Sequence, residues 1–398
     1  MPRNQQVKRW IEEVSEKMPQ LSKSQALGLA LWSFAIVMTQ SCGLTTVSGF
    51  LAKLLGKKPQ TMRQQLREWY QDKDSKKGHK RQELDVSLCF AYLLKWILSY
   101  WQTQGKELLL SLDATTLGTR FVVLAIAVMY RGSALYIAWV VLPATKKGSW
   151  KGPWLNLVAK LKGQLPADWQ VMVLSDRGLY APWLYQAIRA NGWHPFMRIR
   201  CGGTFCSRGS KDFKALKCLA PQVGCFWSGK VTLFKHNPLI CSLLVAWEAG
   251  YEGAWFIITD LEPEHADHSW YGLRAWIEVG FKQQKRSGWH WHRTRMDDPE
   301  RASRLWLALA VASLWVLSVG TQAEDYAPST DLSSLPESHI ARRKHRNTLK
   351  LQLLSCFREG LSTILTTLLA GHPLPLGYFR PKAQLSLSKA SPPLPLAA

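Results

Sequence analysis

The run LLLSLD, residues 108–113, decides how this chain folds. It is a short, unbroken apolar segment that stops at a carboxylate, as a central strand does when both of its faces are covered and its end carries an acid to the sheet edge. Outward from it, Phe121–Tyr130 and Leu135–Leu142 are two further β-rich runs, joined by Arg131, Gly132 and Ser133 as a hairpin. Trp154–Leu165 has helical apolar spacing. Trp169–Leu174 is a second buried strand, running directly into Ser175, Asp176, Arg177 and Gly178. Leu179–Asn191 reads as helix and Pro195–Arg200 as strand.

Three strands, a helix, a strand, a helix and a strand follow the order of the RNase H-like fold, in which the first strand lies centrally and the fourth beside it. On that order Asp113 and Asp176 are neighbours, although 62 residues separate them. A third acid is sought further on. The segment Cys201–Leu261, with runs such as GKVTLFKH and GAWFIITDL, reads as a β-rich insertion. Beyond it comes YGLRAWIEVGFKQQK, residues 271–285. At about 100° per helical residue, Tyr271, Arg274, Glu278, Lys282 and Lys285 share an arc of about 80°, and Leu273, Trp276, Ile277, Gly280 and Phe281 lie opposite. One face is polar and the other packs. A single carboxylate among three cations and a phenol suits a group that holds a metal ion beside phosphates.

Tyr271, Arg274, Glu278 and Lys285 form Y-x2-R-x3-E-x6-K, which resembles the signature of the DDE transposases of bacterial cut-and-paste insertion sequences. With Asp113 and Asp176 the resemblance runs from about residue 107 to 320, and more loosely at both ends. It implies that Asp113, Asp176 and Glu278 are catalytic metal ligands for two Mg²⁺ ions, with Mn²⁺ as a substitute. It also implies that Tyr271, Arg274, Lys282 and Lys285 contact transposon-end DNA, and that the chain assembles as a homodimer on paired ends. Cleavage, hairpin formation and strand transfer belong to the same implication. Such transposases carry an insertion at this point, and an aromatic from it stabilises a flipped base; Trp247 and Trp255 are nearest, but a core role fits either better. Two alternatives share the motif: an inactive DNA-binding remnant, and an RNase H-like nuclease without strand transfer.

A net charge of +23 points independently to a polyanion, with nucleic acid the first candidate. Residues 1–105 hold 16 Lys and Arg against 8 Asp and Glu. Within them Thr45–Leu55, a break at Gly56 and Pro59–Tyr70 fit a helix-turn-helix whose second helix offers Arg63 and Arg67 to DNA, or a plain helical hairpin. Asp72–Gln82 reads as an exposed linker. No run reaches the roughly 18 apolar residues of a spanning helix, and Leu305–Gly320 reads as a core helix, so no membrane partner is expected. The N-terminus lacks the apolar segment of a signal peptide, and the expected setting is the cytoplasm, on the nucleoid.

Cys201, Cys206, Cys218 and Cys225 lack the spacing of paired C-x2-C knuckles and read as buried strand thiols. His290 and His292 read as phosphate or packing residues rather than metal ligands. No Gly-rich nucleotide loop and no serine elbow occurs. The expected architecture is α/β, an RNase H-like catalytic core with a β-rich insertion, preceded by a helical N-terminal DNA-binding domain. Its divisions are 1–105 helical and basic, 106–200 first part of the core, 201–262 insertion, 263–320 second part with the catalytic helix, and 321–398 a connector, a helix over Asn347–Gly371 and a Pro-rich, loosely packed tail.

Overall fold

The computed structural model describes residues 5–76, 82–99, 101, 106–145, 148–207, 209–326 and 354–380. Helices α1 (Gln5–Lys17), α2 (Lys23–Thr39), α3 (Leu44–Leu55), α4 (Pro59–Tyr70) and α5 (Phe90–Ser99) open the chain. Ser22 caps α2 reciprocally: its hydroxyl accepts from the Gln25 N–H, and the Gln25 side chain accepts from the Ser22 N–H. Gly56 ends α3 at a φ of 62°, a left-handed turn that suits glycine, and Pro59 opens α4 where its missing N–H is harmless. Met62, Leu66, Trp69 and Tyr70 are buried, whereas Arg63 and Arg67 are exposed.

Strands β1 (Glu107–Leu117), β2 (Phe121–Tyr130) and β3 (Ser133–Pro143) follow, then α6 (Lys151–Lys160), β4 (Gln170–Ser175), α7 (Pro182–Arg189) and β5 (His194–Arg198). β1 lies between antiparallel β2 and parallel β4, and β4 pairs in parallel with β5. The central place of β1 and the adjacency of β4 are those implied by the strand order. The run to β10 then does something the sequence did not disclose. β6 (Thr204–Ser207), β7 (Lys214–Ala215), β8 (Phe226–Leu233), β9 (Leu239–Ala246) and β10 (Trp255–Thr259) do not form a sheet of their own. β10 pairs antiparallel with β5, and one ten-stranded sheet results, in the order β3-β2-β1-β4-β5-β10-β9-β8-β6-β7.

Beyond a short 3₁₀ turn come α8 (Ala275–Lys282), α9 (Pro299–Tyr326) and α10 (Cys356–Leu369). By length and composition α9 could cross a membrane, yet 94% of its apolar window is buried against other elements. It packs on β3, α2 and α10, as expected of a core helix. Gly320 and Gly360 set the approach of α9 to α10: a Cβ on Gly360 would lie 1.9 Å from the Val316 carbonyl oxygen.

Several expectations change here. Asp72, read as the start of an exposed linker, accepts from Arg301 and Arg304 of α9 at 2.8 Å each. Arg304 is only 2% exposed, and burying a guanidinium demands acceptors, which Asp72, Glu83 and the Tyr70 and Leu84 carbonyls provide. Residues 77–81 of that linker lie outside the described residues. The tail is not loose as far as Arg380: Leu374 and Phe379 are buried, and the Arg380 carbonyl accepts from Arg131. Among the four clustered cysteines only Cys206 is buried, and Cys201 and Cys218 are exposed. The connector expected over 321–345 begins later, since α9 continues to Tyr326, and the helix expected from Asn347 is capped by Ser355 and starts at Cys356; residues 327–353 and those from 381 lie outside the described residues.

Candidate active site

Asp113 sits in β1 and Asp176 just past the end of β4, at the same edge of the sheet, because the two strands run in parallel register from Glu107 opposite Gln170 to Leu112 opposite Ser175. Glu278 faces them from the first turn of α8. Gly280 lets α8 come this close, since its Cβ would fall 2.7 Å from the Ala134 Cβ and 2.9 Å from the Tyr136 hydroxyl of β3.

Arg274 joins two of the acids. One guanidinium nitrogen donates to Asp113 Oδ2 at 2.9 Å and another to Glu278 Oε1 at 2.7 Å, with the guanidinium itself largely buried. Asp113 Oδ1 accepts from the Ala114 N–H at 2.7 Å. Asp176 Oδ1 accepts from the Gly178 and Leu179 N–H groups at 2.9 and 3.0 Å, which turns its carboxylate back over its own loop.

Burial pushes the Asp113 carboxyl up to about 6. Arg274 and the Ala114 N–H act against that rise, and the nearby charges of Asp176 and Glu278 add to it. The three acids therefore share one electrostatic site. Among the described residues no three acid, His or Cys side chains are drawn in closely enough to enclose an ion as placed. Their donor chemistry nonetheless fits a hard divalent cation: carboxylate oxygens only, at a shared sheet edge, with like-charge repulsion relieved by one cation.

The rest of the signature is distributed unevenly. Its stretch is not one α-helix: His268–Arg274 is 3₁₀, α8 is α, and Gln283–Ser287 is a π turn. The single arc of about 80° therefore does not describe it. Tyr271 is 2% exposed, packs edge-on against Trp255 at 5.0 Å, and burial pushes its hydroxyl up to about 12. Lys285 is half-buried and donates to the Thr115 hydroxyl at 2.6 Å and the Thr116 carbonyl at 3.0 Å, just past Asp113 on β1. Lys282 is exposed. Leu273, Trp276, Ile277, Gly280 and Phe281 are buried, as the packing face requires.

Arg63 and Arg67 stand on α4, and Arg63 donates to the Thr45 hydroxyl at 2.6 Å. His290 Nδ1 donates to the Gln40 carbonyl at 2.9 Å and His292 Nδ1 to that of Lys285, so one ring nitrogen of each histidine is engaged with the backbone. Trp255 is 1% exposed and Trp247 is half-buried. Arg198, which the sequence did not single out, lies over the Trp255 ring at 5.7 Å and within the charge field of Tyr271 and Arg274. Its only signal is a basic residue closing the strand beside β4.

A piggyBac transposase synaptic complex with hairpin DNA, solved by cryo-EM, is similar at a TM-score of 0.38 and 12% identity, over 78% of this chain and 72% of that one. No curated protein matches. The family model described as the transposase DDE domain matches residues 104–315, a span that contains Asp113, Asp176 and Glu278. The chain belongs to the DDE transposase domain family.

Proposed function

We propose that the chain is the transposase of a bacterial cut-and-paste insertion sequence, which cleaves DNA at the ends of its own element and joins them to a target. The observation that carries this reading is the convergence of Asp113, Asp176 and Glu278, from β1, the end of β4 and α8, around the Arg274 guanidinium. Members of the family use divalent metal ions, generally Mg²⁺. When bound, a pair of such ions activates the attacking oxygen and stabilises the leaving 3′ oxygen.

The chain's own residues supply the remainder. Asp113, Asp176 and Glu278 would hold the ions through carboxylate oxygens. Arg274 holds one oxygen each of Asp113 and Glu278, which orients both carboxylates and leaves their other oxygens to hold an ion. Lys285, fixed to β1 just beyond Asp113, holds a phosphate next to the cut. Lys282, exposed on α8, contacts the backbone further out. Tyr271, buried edge-on against Trp255 and within the field of Arg274 and Arg198, supports that cationic wall. Arg63 and Arg67 present α4 to the same duplex. The protein would work on the nucleoid as a homodimer bound to paired ends.

The test is strand cleavage of duplex DNA carrying the element's terminal sequence. Asp113→Ala, Asp176→Ala and Glu278→Ala are each expected to abolish Mg²⁺-dependent cleavage while DNA binding is retained. Near wild-type cleavage by any one of them would remove that acid from the site, and cleavage without joining to a target would reduce the activity to that of a nuclease.

A further inference from the structure

A cleft of about 540 Å³ opens between the α2–α3 turn, the C-terminal end of α4 and the segment after the signature. Arg67 lines one side and Arg293 and Arg295 the other, and all three are exposed. Four arginines line the cleft against two aspartates, Asp297 and Asp298. Arg301 is matched to Asp72, and Asp298 caps α9 by accepting the Arg301 N–H at 2.8 Å. Neither Arg293 nor Arg295 has an ion pair among the described residues. Arg63, which donates to the lining residue Thr45, extends the positive rim.

The cleft wall is tied to the end of β1, the strand that carries Asp113. Lys285 binds Thr115 and Thr116, two and three residues past Asp113. Where β1 turns into β2, Arg120 donates to the carbonyl of Met296, a lining residue, at 2.8 Å. The far wall is fixed to the N-terminal helices, as the Cys42 N–H donates to the Trp289 carbonyl at 2.8 Å and His290 to Gln40 at 2.9 Å. Lys285 is thus bonded to β1 beyond Asp113 and Arg120 follows that strand, while Arg295, Arg293 and Arg67 line the cleft whose wall Arg120 holds.

The geometry points to a phosphate track: the duplex next to the cleaved phosphate runs along β1 into this cleft, with Arg293 and Arg295 as backbone contacts between the acids and α4. The inference rests on the transposase reading and adds two DNA-contacting residues and a path to it. Contacts of this kind weaken binding uniformly across sequences and contribute to its salt dependence.

Full-length chain is titrated with a labelled duplex of about two helical turns across a range of salt concentrations. The double variant Arg293→Ala/Arg295→Ala is compared with Lys160→Ala/Lys162→Ala, which removes the same charge from exposed positions on and after α6. The first should lower the log–log salt slope by about 2 and the affinity at about 0.1 M salt by roughly 10- to 100-fold, with an unchanged thermal midpoint. The second should leave the slope at the wild-type value. Equal slopes for wild type and the arginine variant, or equal losses for the two double variants, would overturn the track while leaving the acid site intact. A wild type with no salt-dependent DNA binding would remove both the track and the transposase reading.

Discussion

Arg274 shows how a typed position can be legible while its partner is not. Its spacing to Glu278 is that of neighbours on a helix face, so that contact is contained in the sequence. The bond to Asp113, 161 residues away, needs the sheet. The three acids could be read as candidates because Asp113 closes an apolar run, Asp176 follows a buried strand and Glu278 has a spaced motif around it, although β1 does not stop at Asp113 but pairs on to Leu117. Arg198 was not, since one arginine at a strand end carries no signal until β10 places Trp255 beneath it. Glu107, at the start of β1, gives a test at this scale. Burial raises its carboxyl from 4.5 to about 7. Between those values the folded chain binds the proton more tightly than the unfolded chain, so the group makes stability fall as pH rises through that window. Glu107→Gln should therefore be more stable than wild type at pH 8, with the difference vanishing near pH 4. Thermal midpoints across pH measure it, and an equal offset at both pH values would contradict the assignment.

Two helix approaches without a Cβ determine the elements around the site. On α8, Gly280→Ala would bring a methyl group within 3 Å of Ala134 and Tyr136. The helix must lift from β3 and carry Glu278 with it. Cleavage is expected to fall on the order of tenfold or more, beyond any loss of stability, because catalytic geometry tolerates little displacement. A variant that is less stable but cuts at the wild-type rate would show that Glu278 is not positioned through this contact. On α10, Gly360→Ala meets backbone of α9 rather than a side chain, so it should cost about 1–3 kcal/mol or more in denaturant unfolding with little specific effect on cleavage. The strand order and the packing face of α8 were readable from hydrophobic period. The change from 3₁₀ to α to π within the signature was not, because apolar spacing over so few residues does not separate these helices. Nor could the sequence show that the insertion extends the core sheet, since strand pairing is a long-range choice.

Across the whole molecule the N-terminal helices and the sheet share one hydrophobic cluster running from Val7 to Phe379. Trp10 of α1 stacks on Trp315 of α9 at 4.3 Å, and Arg304 of α9 joins the acids and carbonyls that follow α4. Residues 5–99 and the core should accordingly unfold in a single thermal transition, and Arg304→Ala should lower its midpoint by an amount equivalent to about 3 kcal/mol. Two resolved transitions would contradict a shared core. The sequence marked the helical segment and its charge but could not show this union, which depends on aromatic contacts across more than 300 residues. The central claim, that the acids hold the metal for strand cleavage, is tested most directly by exchanging one ligand atom. In Asp176→Cys a soft thiolate replaces a carboxylate oxygen, which Mg²⁺ binds poorly and Mn²⁺ tolerates better. Cleavage of end-containing duplex by this variant should be lost in Mg²⁺ and partly restored in Mn²⁺, with DNA binding unchanged. Equal activity in the two ions, or equal loss in both, would contradict the assignment of Asp176 as a metal ligand.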